Sequence, residues 1–214
     1  MTRSACMAVL CGLVLVTTAC TPLLGREESH RLFLLPATAQ PGTAEAPLEI
    51  ALRVTTPDAE APLASRHVVV VQARGEVNVY AGARWSDRAP VLVRNRLIEA
   101  LRQDGRLATI VNDESPARTQ LTLLGQMGAF HARYPDPADR SGGARPDVLM
   151  RLDLQLIDSG SRQVLASRRF EQRQPGVKSG LEAVITALGQ AGDALSMEIV
   201  EWVVDQARQR QDAI

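Results

Sequence analysis

Cysteine is scarce in this chain: three in 214 residues, with Cys6 and Cys11 inside an apolar N-terminal run and Cys20 at its end. A disulfide-stapled scaffold is excluded. Aromatic residues are equally few, at Phe33, Tyr80, Trp85, Phe130, Tyr134, Phe170 and Trp202. Stacking platforms for bases or sugars would have to draw on this small set, which disfavours a single-strand or carbohydrate binder. Charge of one sign is also missing. Lys plus Arg number 24 against 24 Asp plus Glu, so neither a general nucleic-acid binder nor a polybasic membrane-surface protein is indicated. With 12 Pro and 15 Gly the chain is not low in complexity, and its 45% hydrophobic content suits a packed core.

No apolar run reaches the length of about twenty residues that a membrane span needs. Instead Arg3, the short run Ala5 to Val16 and the small residues Thr17-Thr18-Ala19 before Cys20 read as an export signal that is removed. Residues 1–19 are assigned to that signal and residues 20–30 to an anchor and short tether. Cys20, left as the lone cysteine of the mature chain, is the candidate lipidation site. The residues before it resemble a bacterial lipoprotein box, although Thr17 stands where Leu is usual. The competing reading is a freely secreted protein in which Cys20 is incidental. Removing residues 1–19 takes away Arg3 and no acid, so the mature surface stays near neutral. A ten-residue tether reaches at most about 34 Å, which keeps the body near its membrane.

Residues 31–210 read as a single domain. Arg31 to Pro36 is strand-like, and Ile50, Leu52 and Val54 alternate with polar or small residues as in a half-buried strand. Val68 to Val71 is the β-branched run of a central strand, and Gly75 turns it into Val77, Val79 and Tyr80. Ser86 or Asp87 is placed to cap a helix with Pro90 in its first turn, Val93, Leu97, Ile98 and Leu101 on one face, and Gly105 at its end. Strand patterns follow at 107–111, 120–130 and 148–156, the last turning at Asp158-Ser159-Gly160-Ser161 into a return strand that ends at Phe170. Ser179 and Glu182 have the spacing of a capping box. The long helix after them carries Leu188, Leu195, Ile199 and Trp202 on one stripe, with a kink expected at Gly189 and Gly192. This element order predicts an α+β fold, a mixed, mainly antiparallel sheet with helices packed on one face.

Catalytic signatures are missing too. His30, His67 and His131 lie far apart with no second ligand at zinc spacing. There is no Gly-x-Ser-x-Gly elbow. Gly176-Val-Lys178-Ser179-Gly180 lacks the glycines of a phosphate loop and reads as a helix start. Asp136, Asp139 and Asp147 lack calcium-loop spacing and read as a solvated loop. No cofactor, metal or catalytic residue is assigned. The one concentrated segment is Tyr80 to Asp87. Tyr80, Arg84 and Trp85 are the candidate partner-binding residues, because Tyr, Arg and Trp anchor interfaces; the competing and favoured reading is structural, with Tyr80 and Trp85 packing the helix start onto the sheet and Arg84 pairing with a carboxylate.

With those residues in view, the chain resembles the ABC-type transport auxiliary lipoprotein family, the PqiC-like lipoproteins that accompany MCE-domain lipid transporters. The resemblance rests on the signal ending at Cys20, the Val68–Val71 strand leading to Tyr80 and Arg84-Trp85, the helix from Pro90 to Leu101, the hairpin Leu152-Asp153-Leu154 to Arg169-Phe170, and a terminal helix with Ala187-Leu188 and Trp202. It implies a non-enzymatic subunit lipid-anchored on the periplasmic face of the outer membrane. Its partner would be an MCE-domain protein and, through it, a permease and an ATPase that move phospholipid or another apolar molecule across the Gram-negative envelope. Self-assembly into a homo-oligomer is compatible with this, and nucleic acid is not an expected partner. The alternative is a scaffold or assembly lipoprotein that stabilises an envelope complex without transport cargo.

Overall fold

A computed structural model describes residues 30–38, 42, 45–135 and 145–212. The strands are β1 (Arg31–Phe33), β2 (Leu48–Val54), β3 (His67–Val71), β4 (Val77–Trp85), β5 (Leu107–Asn112), β6 (Leu121–Arg133), β7 (Asp147–Asp158) and β8 (Val164–Gln174); the helices are α1 (Ala89–Asp104) and α2 (Leu181–Asp212). All eight strands form one sheet. β6 is its axis. One edge of β6 pairs antiparallel with β7 along its full length, and β7 with β8. The other edge is shared: residues 121–123 take β2 and residues 131–133 take β3, both parallel. Beyond them lie β5, parallel to β2, and β4 and β1, antiparallel to β3 and parallel to β4 respectively. The long ladders are antiparallel, so the predicted mixed, mainly antiparallel α+β fold holds.

Between β2 and β3 the edge of β6 would expose unpaired backbone groups. The connection after β2 closes the gap: the Asp58 N–H donates to Gly125 O at 2.9 Å and the Met127 N–H to Asp58 O at 2.7 Å.

Both helices cover the same face. α2 packs on β7, β8 and α1, and α1 on β5. Alternating strand residues Ile50, Leu52, Val54, Met150, Leu152 and Leu156 meet the α2 stripe of Leu188, Leu195, Ile199 and Val203 in one core. Trp202 lies edge-on to Phe170, with centroids 5.4 Å apart. The expected hydroxyl or carboxylate cap of α1 is not what starts it. Its first residue donates to Ser65 O, Pro90 has no N–H, and Val91 and Leu92 donate to Arg88 O, so no first-turn donor is left for Ser86 or Asp87. Gly105 ends α1 as expected, at φ 79° with its N–H on Leu101 O.

α2 runs as one 32-residue helix, about 48 Å long at 1.5 Å per residue. The helix is not interrupted at Gly189 or Gly192, and Gly189 serves packing there. A Cβ at Gly189 would sit 2.8 Å from Pro36 O and 2.9 Å from Pro36 Cβ, so glycine admits the chain after β1 against the helix. Asp193 fixes that strap, accepting from the Thr38 N–H at 3.0 Å and from the Arg96 guanidinium. Among the described residues, no helix is long and apolar enough to cross a membrane.

Candidate partner-binding face

Since the helices take one face of the sheet, every second strand residue is left on the other, and register aligns these residues into rows. In one row Leu32 of β1 stands beside Arg84 of β4, and Arg84 beside His67 of β3. The Val69–His131 pairing brings His67 level with Ala129 of β6, which is opposite Arg151 of β7, itself opposite Glu171 of β8. The next row is Val79, Val69, His131, Leu149 and Arg173. Leu32, Val77 and Val79 are 66%, 48% and 43% exposed. The face is apolar at its open end and crossed by cations.

Those cations are poorly neutralised. Arg84 and Arg133 form no ion pair among the described residues, and Arg151 reaches Glu171 only at 3.9 Å. The Arg151 guanidinium lies over Gly128, where a Cβ would come within 2.7 Å of its Nε. The Nε atoms of both Arg84 and Arg151 are shielded from water with no acceptor, which leaves polar groups unsatisfied. Asp147, opposite Arg133, is committed to Arg173 and to the Gly176 N–H at 2.9 Å. Burial pushes its pKa up, but these bonds outweigh that and hold it below the ordinary value. His131 is held below the ordinary histidine value by burial first, then by Arg133 and Arg151.

Toward the start of β6 acids join the cations on the same face. Two adjoining depressions of about 480 and about 400 Å³ share Asp58, Gln126 and Asp153, and Glu60 borders the smaller one. Asp153 pairs with Arg169 at 2.6 Å. Asp58 and Glu60 form no ion pair among the described residues. The face is therefore basic toward Arg84 and Arg133 and mixed in charge around these depressions, which Arg168 and Arg169 line on the larger side and Arg151 on the smaller. Among the described residues, no three His, Cys, Asp or Glu gather into a metal-binding group.

The three candidate partner-binding residues separate. Trp85 is fully buried and packs against Phe130, with ring centroids 5.3 Å apart and planes tilted by 44°, so it is a core residue and not a surface anchor. The reason is that β4 continues past Tyr80, through Gly82 at φ 65°, with Ala83 and Trp85 inward and Arg84 outward. Tyr80 is half-buried, its hydroxyl 3.1 Å from that of Tyr134; burial and that neighbour raise its pKa far above the ordinary tyrosine value. Only Arg84 joins the free face. Arg133, His131 and Arg151 belong with it and escaped the sequence reading, although the inward alternation of Val148, Met150 and Leu152 already turned Arg151 outward. Cys20 lies outside the described residues, as do Asp136 and Asp139.

The sequence model of a family described as "ABC-type transport auxiliary lipoprotein component" matches residues 33–200. Among solved structures, protein XCC0632 from Xanthomonas campestris, of family DUF330, is 24% identical, with a TM-score of 0.75 over 85% of this chain and 99% of that one. A second, titled only as an uncharacterized protein, is 19% identical, with a TM-score of 0.61 over 82% of this chain and 99% of its own. Both share the fold. No curated protein matches.

Proposed function

We propose, from the premise that the chain belongs to the family of ABC-type transport auxiliary lipoprotein components, that it is a non-enzymatic subunit held on the periplasmic face of the outer membrane by acylated Cys20. There it binds an MCE-domain protein and, through it, the permease and ATPase that move phospholipid or another apolar molecule across the envelope, in support of membrane integrity. The observation that carries this reading is the helix-free face, where Arg84 and Arg133, without an ion pair among the described residues, stand among exposed valine and leucine side chains. Interfaces favour such mixtures of arginine and apolar surface. Short reach from the anchor would keep that face near components embedded in the same envelope.

The test is affinity purification from detergent-solubilised membranes of the native host, with wild type and Cys20→Ser compared. The reading expects an MCE-domain protein to co-purify with the wild type, and Cys20→Ser to leave the membrane fraction. Recovery of an outer-membrane assembly with no transporter component would replace transport with the scaffold role.

A further inference from the structure

The reading above leaves open what kind of surface the helix-free face receives, and the inference that follows rests on that reading. We propose that the basic part of this face, Arg84, Arg133 and Arg151 with Val77, Val79 and Leu149 among them, seats a partner-protein segment that carries carboxylates between apolar side chains. Three observations converge. Among the described residues four arginines, the three named and Arg173, face two carboxylates, Asp147 and Glu171, of which Asp147 is bound to Arg173 and Glu171 stands 3.9 Å from Arg151. Arg84 and Arg133 have no carboxylate partner among the described residues and Arg151 only a distant one, so incoming carboxylates would form charge-assisted bonds with their guanidinium groups. Val77 and Val79 expose apolar area beside these charges, and an apolar residue of the segment would remove it from water.

A lipid surface could also supply anions, but the adjoining part of the face speaks against it. Asp58 and Glu60, which form no ion pair among the described residues, border the depression that Arg151 also lines, and a flat anionic bilayer over the arginines would bring phosphates against them. A peptide can place its acids over the arginines and its cations over these acids. The two unpaired acids beside the arginines thus favour a peptide over a flat anionic surface.

The experiment places a photo-crosslinking amino acid at Leu149 or Val79 in the full chain, and at exposed Met197 on α2 as the helix-side control, in the native host. Crosslinked peptides from the face should contain Asp or Glu beside apolar residues. Their yield should fall at least about tenfold with Arg133→Glu or Arg151→Glu, at unchanged melting temperature, and return when the crosslinked acid is changed to Lys. Crosslinks to copies of this chain alone, to lipid alone, or to peptides insensitive to charge reversal would each overturn the inference. If transporter components crosslink at Met197 and not on the face, the auxiliary-subunit reading stands and this inference falls. An acidic segment from a protein unrelated to transport would do the reverse.

Discussion

The two faces of the sheet use arginine in opposite ways. On the helix side Arg94, Arg96 and Arg106 have side chains only 5–7% exposed, and each is met by a carboxylate: Asp113 for Arg94, Asp193 for Arg96, and both Asp104 and Glu201 for Arg106. On the free side Arg84 and Arg133 have none among the described residues. A buried charge without its counter-ion is strongly destabilising, so the first set is tied to folding. Nothing in the fold requires the second set to be arginine. The contrast separates residues that hold the domain together from those available to a partner.

Core residues on the helix side should give the largest stability losses. Trp85→Ala would empty a fully enclosed site against Phe130 and is expected to cost about 3 to 5 kcal/mol. Denaturant unfolding measures this. A loss below about 0.5 kcal/mol, within the range of ordinary surface changes, would mean that Trp85 is not in the core and would restore it as a surface anchor. Next comes Asp193→Ala, which strands the Arg96 guanidinium between the two helices and frees Thr38, at about 3 kcal/mol. Adding Arg96→Met should recover much of that loss. If it recovers none, Asp193 matters through the strap and not through the charge.

How far these faces were legible in the sequence follows from range. The stripe Leu188, Leu195, Ile199 and Trp202 announced α2, and the alternation of Ile50, Leu52 and Val54 announced β2, because both signals lie within a few residues. The burial of Arg96 was not legible: its counter-ion is 97 positions away, and a charged residue inside a helix pattern reads as solvated. Trp85 stayed open between anchor and packing residue for a local reason: it lies where a strand meets a helix, and the inward turn it takes after Gly82 at positive φ shows only in the structure. The site itself was hidden longest. Arg84 could be singled out by its neighbours, but its row with His67 and Arg151 exists only once the register across the intervening strands is set.

The smallest effect is expected on the free face and separates the two sides by pH. Helix-side Asp113 is pushed up by burial but held below its ordinary value by hydrogen bonds from Thr56 and by Arg94, so its contribution is complete above the unfolded carboxylate value near 3.8 and is lost only in stronger acid. His131 acts at milder pH. Its folded pKa lies below the ordinary 6.5 because burial, then Arg133 and Arg151, disfavour the proton. The unfolded chain therefore takes up that proton first, and stability declines as pH falls through 6.5. Beside it stand Val69 on β3 and Leu149 on β7, neither of which titrates, with Arg173 beyond on β8. His131→Leu should flatten the decline, and Arg133→Ala should shrink it with little change in stability at neutral pH. An unchanged slope in His131→Leu would assign the decline elsewhere. A bound carboxylate segment should also reverse the sign of the local field, so that mild acid strengthens the complex while it weakens the free domain; binding measured on either side of pH 6.5 in wild type and His131→Leu decides whether the free face meets acids at all.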